Sequence, residues 1–121
     1  MTKKILVIED EKSLNEAIRM KLVALGVKPI AVTTASEAFE ILEKEKPDLI
    51  WLDVLLPDMN GIDFLEKLRN DPQYKDIKVA IVSVSGGFEA KERAMRLGVA
   101  DYIVKSQYPL EIIVKRVKNL A

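Results

Sequence analysis

Five short runs rich in Ile, Val and Leu, at residues 4–8, 28–33, 48–53, 77–83 and 101–104, alternate with segments of helical period, and this alternation constrains the fold most. Runs of that length are too short for helices and read as strands buried on both faces. Between them, Leu14, Ala17, Ile18, Leu22 and Leu25 recur at the spacing that lines one helix face, as do Ala35, Ala38, Phe39 and Leu42, and again Leu110, Ile113, Val114 and Val117. Local signals mark the helix ends. Ser13-Leu14-Asn15-Glu16 and Thr34-Ala35-Ser36-Glu37 fit capping boxes, Pro109 suits a first helical turn, and Gly26 and Gly98 suit helix ends. Parallel strands need crossover connections, so the alternation predicts a doubly wound α/β domain, a five-stranded parallel sheet with helices on both faces. No stretch reads as an interdomain linker, and residues 1–121 are expected to form one domain.

The residue inventory narrows the chemistry. With no Cys and no His, the chain has no disulfide, no thiolate nucleophile, no Ser/His/Asp triad and no His-bound metal. Carboxylates, hydroxyls, Lys and Arg remain. Lys and Arg together number 19, as do Asp and Glu, which argues against general electrostatic binding to nucleic acid. The apolar share of 49% excludes a disordered chain. The longest apolar stretch, residues 49–57, is interrupted by Asp53 and far too short to cross a bilayer, and the start lacks a signal-peptide pattern. A cytoplasmic location with no membrane partner is therefore expected.

In open α/β sheets ligands bind beside the carboxyl ends of the strands, where the strand order reverses. Four of the five predicted strands deliver a polar group there: Glu9 and Asp10 after the first, Asp53 at the end of the third, Ser83 at the end of the fourth and Lys105 after the fifth. Carboxylates converging in a partly dehydrated cleft need a cation to remain ionised. Oxygen-only ligands favour a hard ion such as Mg²⁺, which keeps several waters and leaves positions for phosphoryl oxygens. Three carboxylates, one lysine and a divalent ion sum to zero formal charge, so a phosphoryl group can approach Asp53.

These residues resemble a known family. Val7-Ile8-Glu9-Asp10-Glu11, Leu52-Asp53-Val54-Leu55-Leu56-Pro57-Asp58-Met59-Asn60-Gly61, Ser83, and Leu97-Gly98-Val99-Ala100-Asp101-Tyr102-Ile103-Val104-Lys105 stand in the order and at the strand ends of a response-regulator receiver domain, the phosphoacceptor half of two-component signalling. The resemblance covers essentially residues 3–120 and implies the flavodoxin-like strand order 2-1-3-4-5 of the chemotaxis member. It also implies that Asp53 is phosphorylated by a histidine kinase, a phosphotransfer protein or a small phosphodonor. Glu9 through a water, and Asp10, Asp53 and the Leu55 carbonyl directly, would hold Mg²⁺. Ser83 and Lys105 would hold the phosphoryl oxygens. Ser83 and Tyr102 would switch the surface of the fourth helix, fifth strand and fifth helix, read by an effector or output domain. A receiver of this kind catalyses its own phosphorylation and dephosphorylation without turning over a separate substrate. It works as a monomer or a phosphorylation-dependent dimer.

Other readings remain beside this one. Asp53 also suits a turn cap, and Glu9 and Asp10 suit the amino end of the next helix. Ser85 lies on the same face of an extended strand as Ser83. Tyr102 reads equally as a packed aromatic, Trp51 reads as core packing in preference to a ligand contact, and Lys115, Arg116 and Lys118 are only a faint nucleic-acid patch. In the family, Pro usually follows the lysine, often after a cis peptide; here Ser106 does. A cis bond before a non-proline residue costs about 2.5–4 kcal/mol, so either that strain is carried or the last loop takes a trans path. Leu55 and Ser85 stand where the family flanks the attacking water. Because Leu55 cannot orient water by hydrogen bonding, slow self-dephosphorylation is expected. A haloacid-dehalogenase-type phosphatase would need a second Asp where Leu55 stands, and the sequence has neither of the glycine motifs, G-x-G-x-x-G or G-x-x-x-x-G-K-[ST], that nucleotide-binding versions of the fold require. A degenerate receiver that binds proteins without phosphorylation remains the competing function.

Overall fold

The computed structural model describes residues 2–84 and 87–121. The readings that involve Ser85 lie outside these residues. Five strands and five helices alternate: β1 (Lys4–Ile8), α1 (Lys12–Ala24), β2 (Lys28–Val32), α2 (Ala35–Lys44), β3 (Leu49–Leu52), α3 (Gly61–Arg69), β4 (Lys78–Ser83), α4 (Phe88–Arg96), β5 (Asp101–Val104) and α5 (Leu110–Leu120), with a 3₁₀ turn at Lys105–Gln107. All strand pairs are parallel, in the order β2-β1-β3-β4-β5, with Ile5 opposite both Pro29 and Leu49, Leu49 opposite Lys78, and Ala80 opposite Asp101. The doubly wound sheet and the order 2-1-3-4-5 are as expected.

The pleat sorts the core into two layers. Ile5, Val7, Leu49, Trp51, Ala80, Val82 and Ile103 pack against Ile18 and Leu22 of α1 and Ile113, Val114 and Val117 of α5. The alternate residues Leu6, Ile8, Ile50, Leu52, Val79 and Ile81 pack against α2, α3 and α4 through Ala38, Leu42, Phe64, Leu65, Leu68 and Ala94. Period two in the strands and period 3.6 in the helices produce this division directly. Each large aliphatic side chain so buried contributes about 1.5–3 kcal/mol.

Three local expectations are corrected. β2 is not buried on both faces: Lys28 is exposed and Pro29, Ile30 and Ala31 are half-buried, because β2 has a neighbour on one side only. Pro29 fits that edge, since it has no donor to give a second ladder. Ser13 does not cap α1. The helix starts two residues earlier than that cap would put it, at Lys12, with Glu11 as the capping residue and no side-chain cap, because Asn15 N already donates to Glu11 O at 2.8 Å. Pro109 is the residue before the first turn of α5 instead of within it. The other signals behave as read. Thr34 Oγ1 accepts from Glu37 N at 3.1 Å, and Gly26 and Gly98 end their helices at φ +81° and +73°.

Candidate functional site

The order β2-β1-β3 puts the reversal point between β1 and β3, and the ends of those two strands carry Glu9, Asp10 and Asp53. One carboxylate oxygen from each lies within 4.8 Å of the others. Glu9 and Asp53 are 1% and 4% exposed, whereas Asp10 is open to solvent. Two buried carboxylates and one accessible one form a cup with its open side at Asp10.

Each buried carboxylate has fixed partners. Lys105, at the end of β5, reaches across to Glu9 Oε1 in a very short ion pair and to Asp53 Oδ2 at 3.2 Å. Glu9 Oε2 accepts from Glu11 N at 3.0 Å, and Asp53 Oδ1 accepts from Leu55 N at 3.1 Å. Burial pushes the Glu9 carboxyl up, and the Lys105 ammonium and the Glu11 amide offset only part of that. For Lys105 burial acts downward, but the hydrogen bond to Glu9 and the charge of Asp53 outweigh it, so its pKa is raised and it stays cationic. Lys105 thus pairs with two of the three clustered carboxylates. The donor set is all oxygen, incompletely neutralised and accessible from one side, which fits a hard divalent cation.

Ser83 is fully buried at the end of β4, with Val104, the neighbour of Lys105, opposite it on β5. Tyr102 is buried in the layer that holds Ala94 and Val99, and burial raises its phenol pKa. Leu55 exposes its side chain and pairs with Asn60 in an isolated antiparallel bridge. The Lys105–Ser106 peptide is trans, and the 3₁₀ turn that follows still lets Lys105 reach Glu9 and Asp53. Trp51 is a core residue on the α1 and α5 side. It shares a cavity of about 110 Å³ with Leu14, Lys105 and Tyr108, so its fluorescence has a physical route to the site. Arg116 is committed to Asp101 at 2.6 and 2.9 Å, which weakens the basic patch further.

Two positioning residues had no role assigned from the sequence. Asn15, a buried amide on the Ile18 and Leu22 face of α1, donates to Glu9 O at 3.0 Å and Val32 O at 2.9 Å, fastening the turn that carries Glu9 and Asp10. A polar residue in an apolar stripe was the available signal. Gly61 lies so close to the phosphoacceptor candidate that a Cβ there would sit 2.2 Å from Asp53 O.

Comparison with known proteins agrees with this geometry. The model of the response regulator receiver domain family matches residues 5–118. The chain is 33% identical over 115 residues to the phosphate regulon transcriptional regulatory protein PhoB of Escherichia coli, covering 95% of this chain and 50% of PhoB. It therefore spans about half the length of the curated relatives it resembles. The phosphorylated cyanobacterial phytochrome response regulator RcpA superposes with a TM-score of 0.85 at 29% identity, covering 99% of this chain and 91% of RcpA. The chemotaxis response regulator CheY4 of Vibrio cholerae shares the fold over 100% of both chains, with a TM-score of 0.88 at 23% identity. The chain belongs to the response regulator receiver domain family.

Proposed function

We propose that this domain accepts a phosphoryl group on Asp53 in a Mg²⁺-dependent reaction and passes the change to a partner protein. The observation that carries the reading is the convergence of Glu9, Asp10 and Asp53 within 4.8 Å at the reversal point, with Lys105 3.2 Å from Asp53 Oδ2. In this reading an Asp53 carboxylate oxygen attacks the phosphorus of the donor. The bond from phosphorus to the donor's leaving group breaks, the leaving group keeps the electron pair, and an aspartyl phosphate results. Glu9, Asp10, Asp53 and the Leu55 carbonyl would hold Mg²⁺, which when bound neutralises charge on the transferring phosphoryl oxygens. Lys105 supplies the second positive centre, exchanging its contact with Asp53 for a phosphoryl oxygen. The buried Ser83 hydroxyl donates to another of those oxygens. Its movement is transmitted to Tyr102, and so to the surface of α4, β5 and α5.

Receiver domains work with histidine kinases and output domains, and we assign those partner classes here: a kinase or phosphotransfer protein as donor, and an effector or output domain as reader. No direct contact with nucleic acid is assigned to this domain, and it is placed in the cytoplasm. The test is intact mass after incubation with Mg²⁺ and acetyl phosphate. A gain of one phosphoryl group, absent in Asp53→Ala and without Mg²⁺, is the expected result. No gain in the native chain would favour a degenerate receiver that binds partners without phosphorylation.

A further inference from the structure

The segment between β3 and α3 contains Asp58, whose carboxylate leaves its own loop to bond to another element. Oδ1 accepts from Ala35 N at 3.0 Å and Oδ2 from Ser36 N at 2.9 Å. These are the first two amides of α2. The next, Glu37 N, is taken by Thr34 Oγ1 at 3.1 Å, and Ala38 N by Thr34 O at 3.2 Å. Three of the donors that a helix leaves open at its amino end are thus satisfied before Ala38 N begins the regular ladder, two of them by a residue 23 and 22 positions away. The loop that supplies this carboxylate is pinned at its other end to the acidic cluster. Leu55 N donates to Asp53 Oδ1, Leu55 bridges to Asn60, and Gly61 N donates to Val54 O at 2.7 Å. Asp58 therefore joins two structures that share no sequence neighbourhood: the backbone expected to present the Leu55 carbonyl, and the first turn of α2.

We propose that Asp58 is a positioning residue for the metal-binding loop. By fastening this loop to α2, it holds the Leu55 carbonyl in register with Glu9, Asp10 and Asp53, and it couples cation binding there to the order of the first turn of α2. The inference rests on the receiver reading for the identity of the loop. The coupling is reciprocal by linkage: if α2 steadies the loop for the cation, the cation steadies the first turn of α2 by the same free energy. Thr34 provides an internal contrast, because its hydroxyl caps the same helix from within, by accepting from Glu37 N.

The experiment is a Mg²⁺ titration of the native chain, Asp58→Ala, Asp58→Asn and Thr34→Ala, followed by Trp51 fluorescence. Amide exchange at Ala35 and Ser36 is measured with and without saturating Mg²⁺. Half-saturating Mg²⁺ should rise about fivefold or more in Asp58→Ala. It should rise less in Asp58→Asn, whose amide keeps one acceptor oxygen for two donors, and not at all in Thr34→Ala, although that variant also loses helix stability. Exchange at Ala35 and Ser36 should slow on adding Mg²⁺ to the native chain and not in Asp58→Ala. Equal half-saturation in Asp58→Ala and the native chain, an equal shift in Thr34→Ala, or native exchange indifferent to Mg²⁺ would each overturn the proposal. A native chain that binds Mg²⁺ with these responses but takes no phosphoryl group would refute the receiver chemistry and leave the role of Asp58 standing. A native chain that binds no Mg²⁺ would refute both.

Discussion

Gly61→Ala drives a methyl group into the backbone that carries Asp53. The new Cβ would lie 2.2 Å from Asp53 O, 2.9 Å from Val54 Cα and 3.0 Å from Asp53 C. None of these atoms belongs to a side chain that can swing away, so β3 and the start of α3 must separate by about 1 Å to restore ordinary contact. Overpacking of this kind costs about 1–3 kcal/mol. The same displacement breaks the 2.7 Å hydrogen bond from Gly61 N to Val54 O, a further loss of about 0.5–1.5 kcal/mol. Replacing Gly by Ala in a helix returns up to about 1 kcal/mol. The net expectation is a loss of about 2–3 kcal/mol, read as a lower urea midpoint with Trp51 fluorescence as the probe. A second effect is specific to the site. Because the displaced atoms are the Asp53 backbone, half-saturating Mg²⁺ should rise as well. Gly26→Ala is the control: its φ of +81° imposes a backbone cost with nothing within 4 Å to collide with, and it lies far from the loop. A loss below about 0.5 kcal/mol for Gly61→Ala, or unchanged Mg²⁺ binding alongside the full stability loss, would refute the reasoning.

Other consequences follow from the same contacts. Arg69 donates to Leu97 O at 2.6 Å, Lys75 O at 3.1 Å, Ile77 O at 2.9 Å and Gly98 O at 3.3 Å, binding the loops after α3 and α4 together. Arg69→Met should cost about 2–3 kcal/mol in urea unfolding without changing Mg²⁺ affinity. Asn15→Leu removes the amide that bonds Glu9 O and Val32 O, so it should cost about 1–2 kcal/mol and, unlike Arg69→Met, weaken Mg²⁺ binding in the same titration. The folded pKa of Glu9 is raised above its usual 4.5, chiefly by burial. Its favourable contribution is therefore complete below the unfolded value and disappears as pH rises through the folded value. Without divalent cations, stability should fall over that interval, and Glu9→Gln should flatten the slope in urea midpoints measured against pH. Mg²⁺ at about ten times its dissociation constant should add about 1.4 kcal/mol, visible as a higher Tm that EDTA reverses and Asp53→Ala diminishes.

Strand and helix identity, the sheet class and the acidic strand ends were legible in the sequence because each rests on neighbours a few residues apart. Leu14, Ile18 and Leu22 announce a helix face by spacing alone, and a run such as Leu49 to Leu52 announces a buried strand. Where a local signal failed, a longer contact overruled it. Ser13 looked like a cap, but the turn after β1 is set by Asn15 reaching Glu9 O and Val32 O, the latter 17 residues away. β2 looked interior by composition, and only its place at the sheet edge exposes it.

The sequence by itself therefore determined the alternation of elements, the two-layer burial pattern and the kinds of group delivered to one edge of the sheet. It also pointed by resemblance to the receiver domain family, which the family match over residues 5–118 bears out, since motif residues adjoining strand ends keep their neighbours whatever the strand order. Tertiary structure alone decided which groups touch. Lys105 meets Glu9 across 96 residues and Asp53 across 52, Asp58 finishes a helix that begins 23 residues earlier, and Arg69 collects carbonyls from two separate loops. Backbone propensity and side-chain period act over a turn or two. The direction of a carboxylate and the partner it finds depend on how the crossovers stack the strands, and that is settled only when the whole sheet has closed on its two layers of helices.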